Sequence, residues 1–405
     1  MSTTVAIVGG GFGGLETAFT LKSLAGDAVT ITLIDRDGFH SFVPSLHEIS
    51  SGKIAGRSIQ IPLETVLAPA GISFVRDAVI AIDPANRRVT TAARALDYDY
   101  LVLATGAENH FFGVPGAEDF SFRFRTPDDA ERIHAHLVRL LEEERKDIHL
   151  VLAGGGTEGV EVAGELLDLI KDSGREYGPD GGTVAITLVE AQQQLLPGFP
   201  AEARAFAEKY LREKGVTVIT GQRITAVREG SLVLATSTEL PQSMLIWTGG
   251  IKPSRLVDGL PLPKDPAGWL IVNDRLHAPA DGRFYAVGDA VSVQGPNGPL
   301  PLQRLAYHAQ DQGAVSGINI SYDLRGKALM RYVPRHKPQL VSIGRDMGIY
   351  TQGDVFKAGS WVVALKKAVE RKHLMSCLTR PLLSGVSRRI PGGALLKRLG
   401  LKLPF

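Results

Sequence analysis

The chain has 405 residues, 44% hydrophobic and 22% charged, with a formal net charge of +2. That length suggests about two or three ordinary domains, and that balance excludes a disordered or fibrous polymer. The single cysteine, Cys377, excludes an intramolecular disulfide framework, and no run reaches the ~18 apolar residues of a membrane span.

The first apolar run, Val5-Ala6-Ile7-Val8, leads into Gly9-Gly10-Gly11-Phe12-Gly13-Gly14, a helix-like stretch, and a second apolar run ending in Asp35. Glycines permit a tight turn and close backbone approach to a pyrophosphate, the helix N-terminus attracts its charge, and the carboxylate accepts from a ribose hydroxyl. Met1-Ser2-Thr3-Thr4 lacks the basic segment of an export signal, so a cytoplasmic protein is expected. A Gly/Pro-rich middle and Tyr100-Leu101-Val102-Leu103-Ala104-Thr105-Gly106 complete a first unit that ends near Pro115.

Thr126, Pro127, Asp128 and Asp129 predict a helix start, with Ile133, Leu137, Leu140 and Leu141 recurring at helical spacing up to about Lys146. The strand-like run Leu150–Ala153 then opens a second fingerprint, Gly154-Gly155-Gly156-Thr157-Glu158-Gly159, 145 residues after the first. Its second strand, Val184–Val189, ends in Glu190 after a polar Gly-rich insertion at Asp172–Gly182. One such turn is common, but two in the same strand–turn–helix–strand–acid context indicate two dinucleotides: a flavin that stays and a nicotinamide that visits. Beyond Pro261 the chain reads as a strand at Trp269–Val272, the run Arg283–Asp289, and a helix near Leu305–Asn319.

From about Tyr332 the composition changes. Residues 360–405 hold five lysines, five arginines and one acid, Glu370, a sum of +9 that leaves −7 on the first 359 residues. On a helical wheel Trp361, Val362, Leu365, Ala368 and Val369 share a face, and Lys366, Lys367, Glu370 and Arg371 occupy others. Val363 and Lys372 break the division, and Leu395–Leu399 repeats the mixture of leucine and cation. An interfacial helix on an anionic leaflet suits this pattern, at about 1 kcal/mol per basic residue near the surface. Docking on the acidic body or on a dimer mate is the alternative, and nucleic acid is not expected because aromatics are not interleaved. No metal site is expected: His134 and His136 do not face each other on a helix, and His47-Glu48 lacks a second histidine. Cys377 reads as an inert buried thiol.

Five elements in order carry a resemblance: the first fingerprint, Leu103-Ala104-Thr105-Gly106, the second fingerprint, Trp247-Thr248-Gly249-Gly250, and Tyr285-Ala286-Val287-Gly288-Asp289. Over about residues 3–320 the chain resembles the two-dinucleotide flavoprotein reductases. A lone cysteine can serve neither a disulfide reductase nor a sulfide:quinone oxidoreductase. Gly159-Val160-Glu161-Val162-Ala163-Gly164, Phe39-His40-x-Phe42-x-Pro44, Leu46-His47-Glu48, Ser342–Arg345 and Gly359–Lys367 are similar instead to type II NADH:quinone dehydrogenases.

The resemblance implies an α/β fold with two Rossmann-like domains, the FAD domain split around the NAD domain, and a C-terminal membrane-associating segment. Expected bounds are 1–115 and 261–330 for FAD, 116–146 for a linking segment, 147–260 for NAD(H) and 331–405 for the basic amphipathic segment. Non-covalent FAD is expected at Gly9, Gly11, Phe12, Gly13, Gly14, Asp35, Arg36, Phe42, Pro44, Val79, Ala104, Thr105, Gly106, Gly288 and Asp289. NADH is expected at Gly154, Gly156, Gly159, Glu190 and Gly249, with Glu190 disfavouring NADPH because no arginine follows it. Glu161 is expected at the nicotinamide–flavin contact, and Tyr307, His308 and Gln310 on the acceptor side. Two departures stand out: Tyr307 and Asp311 replace glutamines of the family pattern, and Glu158 puts a carboxylate in a pyrophosphate loop. The expected activity passes electrons from NADH through FAD to a quinone, on the inner face of the cell membrane, with homodimerisation left open. The alternatives are a reductase of a soluble carrier such as a ferredoxin, and a low-turnover redox-sensing flavoprotein.

Overall fold

The computed structural model describes residues 2–142, 147–176, 183–279, 281–300 and 302–387, with side chains as far as Arg380. The Leu395–Leu399 run and most of the 172–182 insertion lie outside the described residues.

Two mainly parallel sheets organise the molecule, the first with an antiparallel edge strand at His277–Ala278. In the six-stranded sheet the order is His277–Ala278, Asp281–Ala286, Tyr100–Leu103, Thr3–Val8, Val29–Asp35 and Ser73–Arg76. Its strands come from residues 3–103 and 277–286. Tyr100–Leu103 is buried throughout and pairs in parallel on both sides, as the unbroken apolar run requires. The five-stranded sheet runs Phe122–Arg123, Met244–Trp247, Ile148–Ala153, Val184–Val189 and Thr217–Ile219.

The helix Pro127–Glu142 packs on Leu46–Ser50 and shares a core with the five-stranded sheet. Its start is a reciprocal capping box: Asp129 N–H donates to Thr126 Oγ1 at 3.1 Å, and Thr126 N–H to Asp129 Oδ2 at 3.0 Å. The helix after the first fingerprint, Phe12–Ala25, packs on Ala306–Asp323. Small residues make that contact close. A Cβ on Gly313 would strike the Gly13 carbonyl, and one on Gly317 would come within 2.9 Å of the Thr17 carbonyl oxygen.

The C-terminal region is more than the single amphipathic segment expected from the sequence. A three-stranded antiparallel sheet, Gln339–Ser342, Gly348–Gln352 and Val355–Ala358, precedes a long helix, Ser360–Ser387. Gly344 (φ +74°) and Gly353 (φ +56°) supply left-handed backbone at its turns, a local signal that the charge pattern overshadowed. That sheet is clamped to the second fingerprint's helix, Thr157–Asp172, because Gly164 lets the Gly344 amide approach, and Arg345 Nε sits 3.4 Å from Asp168.

The two glycine turns dictate a substitution series. A Cβ on Gly14 would run into the Gly9 carbonyl oxygen, and one on Gly159 into that of Gly154, whereas Gly11 and Gly156 face open space. Gly14→Ala and Gly159→Ala are expected to cost about 2–3 kcal/mol by urea unfolding, because backbone cannot step aside. Gly11→Ala and Gly156→Ala should cost under about 1 kcal/mol, since each sits at an ordinary N-cap.

Candidate functional site

The two turns are near copies. Each helix begins at a glycine N-cap of extended backbone, Gly11 (φ −71°, ψ −167°) and Gly156 (φ −70°, ψ −170°), with no capping side-chain hydrogen bond. In each, the acid at the end of the second strand returns to the loop. Gly10 N–H donates to Asp35 Oδ2 at 2.5 Å and Gly155 N–H to Glu190 Oε2 at 2.6 Å. The second carboxylate oxygen accepts from the amide two residues on, Asp37 at 2.7 Å and Gln192 at 2.7 Å. Burial raises the Asp35 pKa, and its two backbone hydrogen bonds oppose that. Each first glycine is left-handed, Gly9 at φ +108° over Ala104 and Gly154 at φ +116° over Gly249. Uncapped amides and an empty Cβ position make each turn an anion seat.

A cleft of about 1450 Å³ opens from the first turn. Of the expected FAD residues, Gly9, Gly11, Phe12, Gly13, Asp35, Arg36, Phe42, Pro44, Val79, Ala104, Thr105, Gly106, Gly288 and Asp289 line it; Gly14 lies behind, packed on Gly9. The second turn reaches this wall only through Thr157, Glu158 and Glu161. Gly154, Gly156, Gly159, Glu190 and Gly249 are not on it.

Asp289 is held by Arg125, 3.0 Å away, a partner the sequence did not disclose because 164 residues separate them. Glu158 is half-buried on the cleft wall, and desolvation pushes its pKa up to about 7, with Arg125 opposing and Glu161 and Asp289 adding. Its charge at the loop is therefore smaller than the sequence suggests.

On the opposite wall, the helix Ala306–Asp323 points its uncapped N-terminus into the cleft, with Tyr307, Ala309 and Gln310 lining it. His308, expected beside them, does not line the cleft. It is buried, with Nδ1 2.9 Å from the Tyr332 hydroxyl, which fits packing better than proton delivery. Asp311 also turns away, to Arg335 at 2.7 Å and Lys337 at 3.0 Å, so its replacement of a glutamine leaves the cleft wall untouched.

The helix Ser360–Ser387 closes the remaining side with Lys366, Val369 and His373. Three of its cations turn inward, while Arg371 and Lys372 are exposed beside the apolar stripe, as the wheel expected of all of them. Lys366 pairs with Glu161, Lys367 with Glu48, and Arg380 with Glu16. Glu161 also accepts from Ser342 N–H at 3.0 Å and lies 3.4 Å from His47 Nδ1. Burial raises the Glu161 pKa, and Lys366 opposes it most; His47 is held well below its usual range by burial first and by Lys366 second. Val362 is fully buried, while Trp361 (46%), Leu365 (37%), Val369 (47%), Met375 (57%) and Leu378 (42%) are exposed. This helix carries ion pairs on its inner side and an exposed apolar stripe with Arg371 and Lys372 beside it on the outer.

The family model described as Pyridine nucleotide-disulphide oxidoreductase matches residues 3–313. The chain belongs to this family. Its lone cysteine is buried and free, so the family description's disulphide has no counterpart in this chain. A type II NADH:quinone oxidoreductase of Staphylococcus saprophyticus is 28% identical over 356 residues, 85% of this chain and 88% of the relative. One from Staphylococcus epidermidis is 28% identical over 383 residues, 91% and 94% of the two chains. Among solved structures, the sulfide:quinone oxidoreductase of Aquifex aeolicus superposes with a TM-score of 0.83 at 21% identity, over 100% of this chain and 96% of that one. NDH2 from Plasmodium falciparum in complex with NADH has a TM-score of 0.83 at 17% identity, over 97% and 99%. Both structures share the fold.

The Lys366–Glu161 pair is nearly dry, with side chains 13% and 8% exposed. Lys366→Met should cost about 3–5 kcal/mol in chemical denaturation by stranding the carboxylate, and Glu161→Gln added to it should restore most of that loss.

Proposed function

We propose that this protein is a type II NADH:quinone oxidoreductase that carries FAD and works at a membrane surface. The observation that carries the reading is the duplicated turn, one copy opening the cleft and the other delivering Glu158 and Glu161 to the same wall. The residues fit the two cofactors: Gly11 and Gly156 leave room where a Cβ would stand, and uncapped amides await a pyrophosphate. Asp35 and Glu190 are the ribose partners, and the domain division follows the two mainly parallel sheets.

FAD, when bound, supplies the hydride acceptance and onward electron transfer that no side chain provides. The chain's share is placement and electrostatics. The first turn and Asp289 hold the flavin nucleotide, and the amides opening Ala306–Asp323 favour negative charge at that end of the cleft. Glu161, fixed by Lys366, Ser342 and His47, orders the wall where the nicotinamide enters. Tyr307 and Gln310 border the acceptor's place, and His308 supports them by packing.

The exposed stripe Trp361, Leu365, Val369, Met375 and Leu378 supports attachment to lipid, and Val369 belongs to the cleft wall as well. A quinone dissolved in the leaflet then enters beside the surface that binds it. Attachment at the inner face of the cell membrane follows from this reading. Replacing Trp361, Leu365 and Val369 together by serine should abolish co-sedimentation with anionic liposomes, leave Tm within about 2 °C, and reduce turnover with long-tailed quinones more than with short soluble ones. Equal sedimentation by both proteins would remove this helix as the anchor.

For the donor, NADH should exceed NADPH by at least about tenfold in kcat/KM, because Glu190 repels a 2′-phosphate. Steady-state assays of wild type and Glu190→Gln check this, and the variant should narrow the ratio.

A further inference from the structure

Three donor atoms meet where the C-terminal helix crosses the first glycine turn, and the proposed reaction uses none of them. His40 Nε2 and His373 Nε2 are 2.8 Å apart, His373 Nε2 and Cys377 Sγ are 3.6 Å apart, and all three lie within 4.8 Å of one another. His373 and Cys377 are four residues apart on one helical face. His40 comes from the strand Phe39–Ser41, 333 residues away in sequence, so the cluster exists only in the fold.

The outer nitrogens of both rings are already fixed. His40 Nδ1 is 3.0 Å from the Gly10 carbonyl oxygen, to which it can only donate, and that tautomer leaves the Nε2 lone pair facing the cluster. His373 Nδ1 is 3.0 Å from the Gln310 side-chain amide. A ring N–H anchored on a carbonyl, with the other nitrogen free, is how metal-bound histidines are usually held. The Phe12 ring lies 5.0 Å from His40 and 4.9 Å from His373, which makes the surroundings apolar.

We infer that His40, His373 and Cys377 form a binding site for one borderline-soft divalent cation, with Zn²⁺ as the best match. Two imidazoles and a thiolate suit zinc, and His373 lines the cleft, from which an ion can enter. Tetrahedral bonds to nitrogen and sulfur put the two nitrogens about 3.3 Å apart and nitrogen and sulfur about 3.6 Å apart. The sulfur is already at that separation from His373 and within 4.8 Å of the His40 nitrogen, toward which it must close, and the imidazoles must part by about half an ångström. On binding, two Zn–N bonds and one Zn–S bond form. The Cys377 S–H breaks and its proton leaves to solvent, while the His373 ring proton moves from Nε2 to Nδ1 and donates to the turned Gln310 amide oxygen. No electron changes hands.

The test uses full-length, FAD-loaded protein titrated with Zn²⁺ against a chromophoric chelator, followed by zinc-edge X-ray absorption. One Zn²⁺ per chain is expected, with one sulfur at about 2.3 Å and nitrogens at about 2.0 Å. Cys377→Ser should weaken binding at least about tenfold and remove the sulfur scatterer, with flavin content and Tm of the zinc-free protein unchanged. His134→Asn, away from the cluster, should bind as wild type does. Lack of stoichiometric zinc, a shell of only nitrogen and oxygen in wild type, or equal affinity in the Cys377 variant would overturn the site. The wild-type spectrum decides even if a variant folds poorly.

Discussion

The helix N-termini at Gly11, Gly156 and Leu305 are among those with no capping side-chain hydrogen bond, and Gly11, Leu305 and, next to Gly156, Thr157 line the cleft. The amides of a first helical turn carry partial positive charge that must be met by a side chain, by water or by a ligand. The linking helix at Pro127 instead meets its first-turn amides with its own capping box, Thr126 and Asp129. At the two fingerprints the chain uses glycine, and the acid ending each second strand steadies the loop from behind. The close packing of Gly13 on Gly313 then brings the N-terminus of Ala306–Asp323 to the same space as the first turn.

The C-terminal helix completes the cleft by a different route. It straddles the two sheets, with Lys366 reaching the inserted unit at Glu161, and Lys367 and Arg380 reaching the first unit at Glu48 and Glu16. Buried ion pairs add little net stability, but they fix one orientation, since any rotation of the helix would strand several charges at once. That orientation is what leaves Trp361, Leu365, Val369 and Met375 in solvent. Removing the whole helix therefore does not isolate its surface role, because it also strips the partners of three carboxylates.

The fold was largely legible because both dinucleotide units are local: strand, turn, helix and acid fall within a few dozen residues, and backbone sterics demand glycine at set positions. The cap at Thr126 was legible for the same reason. What escaped was made by contacts across the chain. Arg125 on Asp289, Lys366 on Glu161, and His373 beside His40 join residues more than 150 apart, and no periodicity encodes them. The helical wheel found the amphipathic helix and its outward apolar stripe, but not which cations face the body: Lys366, Lys367 and Arg380 meet carboxylates there, while Arg371 and Lys372 stay exposed. For His308 the sequence left packing and proton delivery equally open, because one residue along a helix turns a side chain by ~100°, here from the cleft toward Tyr332.

The central claim is that one chain takes hydride from NADH and hands the electrons to a membrane quinone through FAD. Anaerobic stopped-flow mixing of the FAD-loaded protein with NADH, then with quinone-bearing liposomes, tests both halves on one sample. The flavin absorbance should bleach at least as fast as steady-state turnover and return fully on quinone addition. A flavin that NADH leaves oxidised, or one that is reduced and then reoxidised only by soluble one-electron carriers, would contradict it.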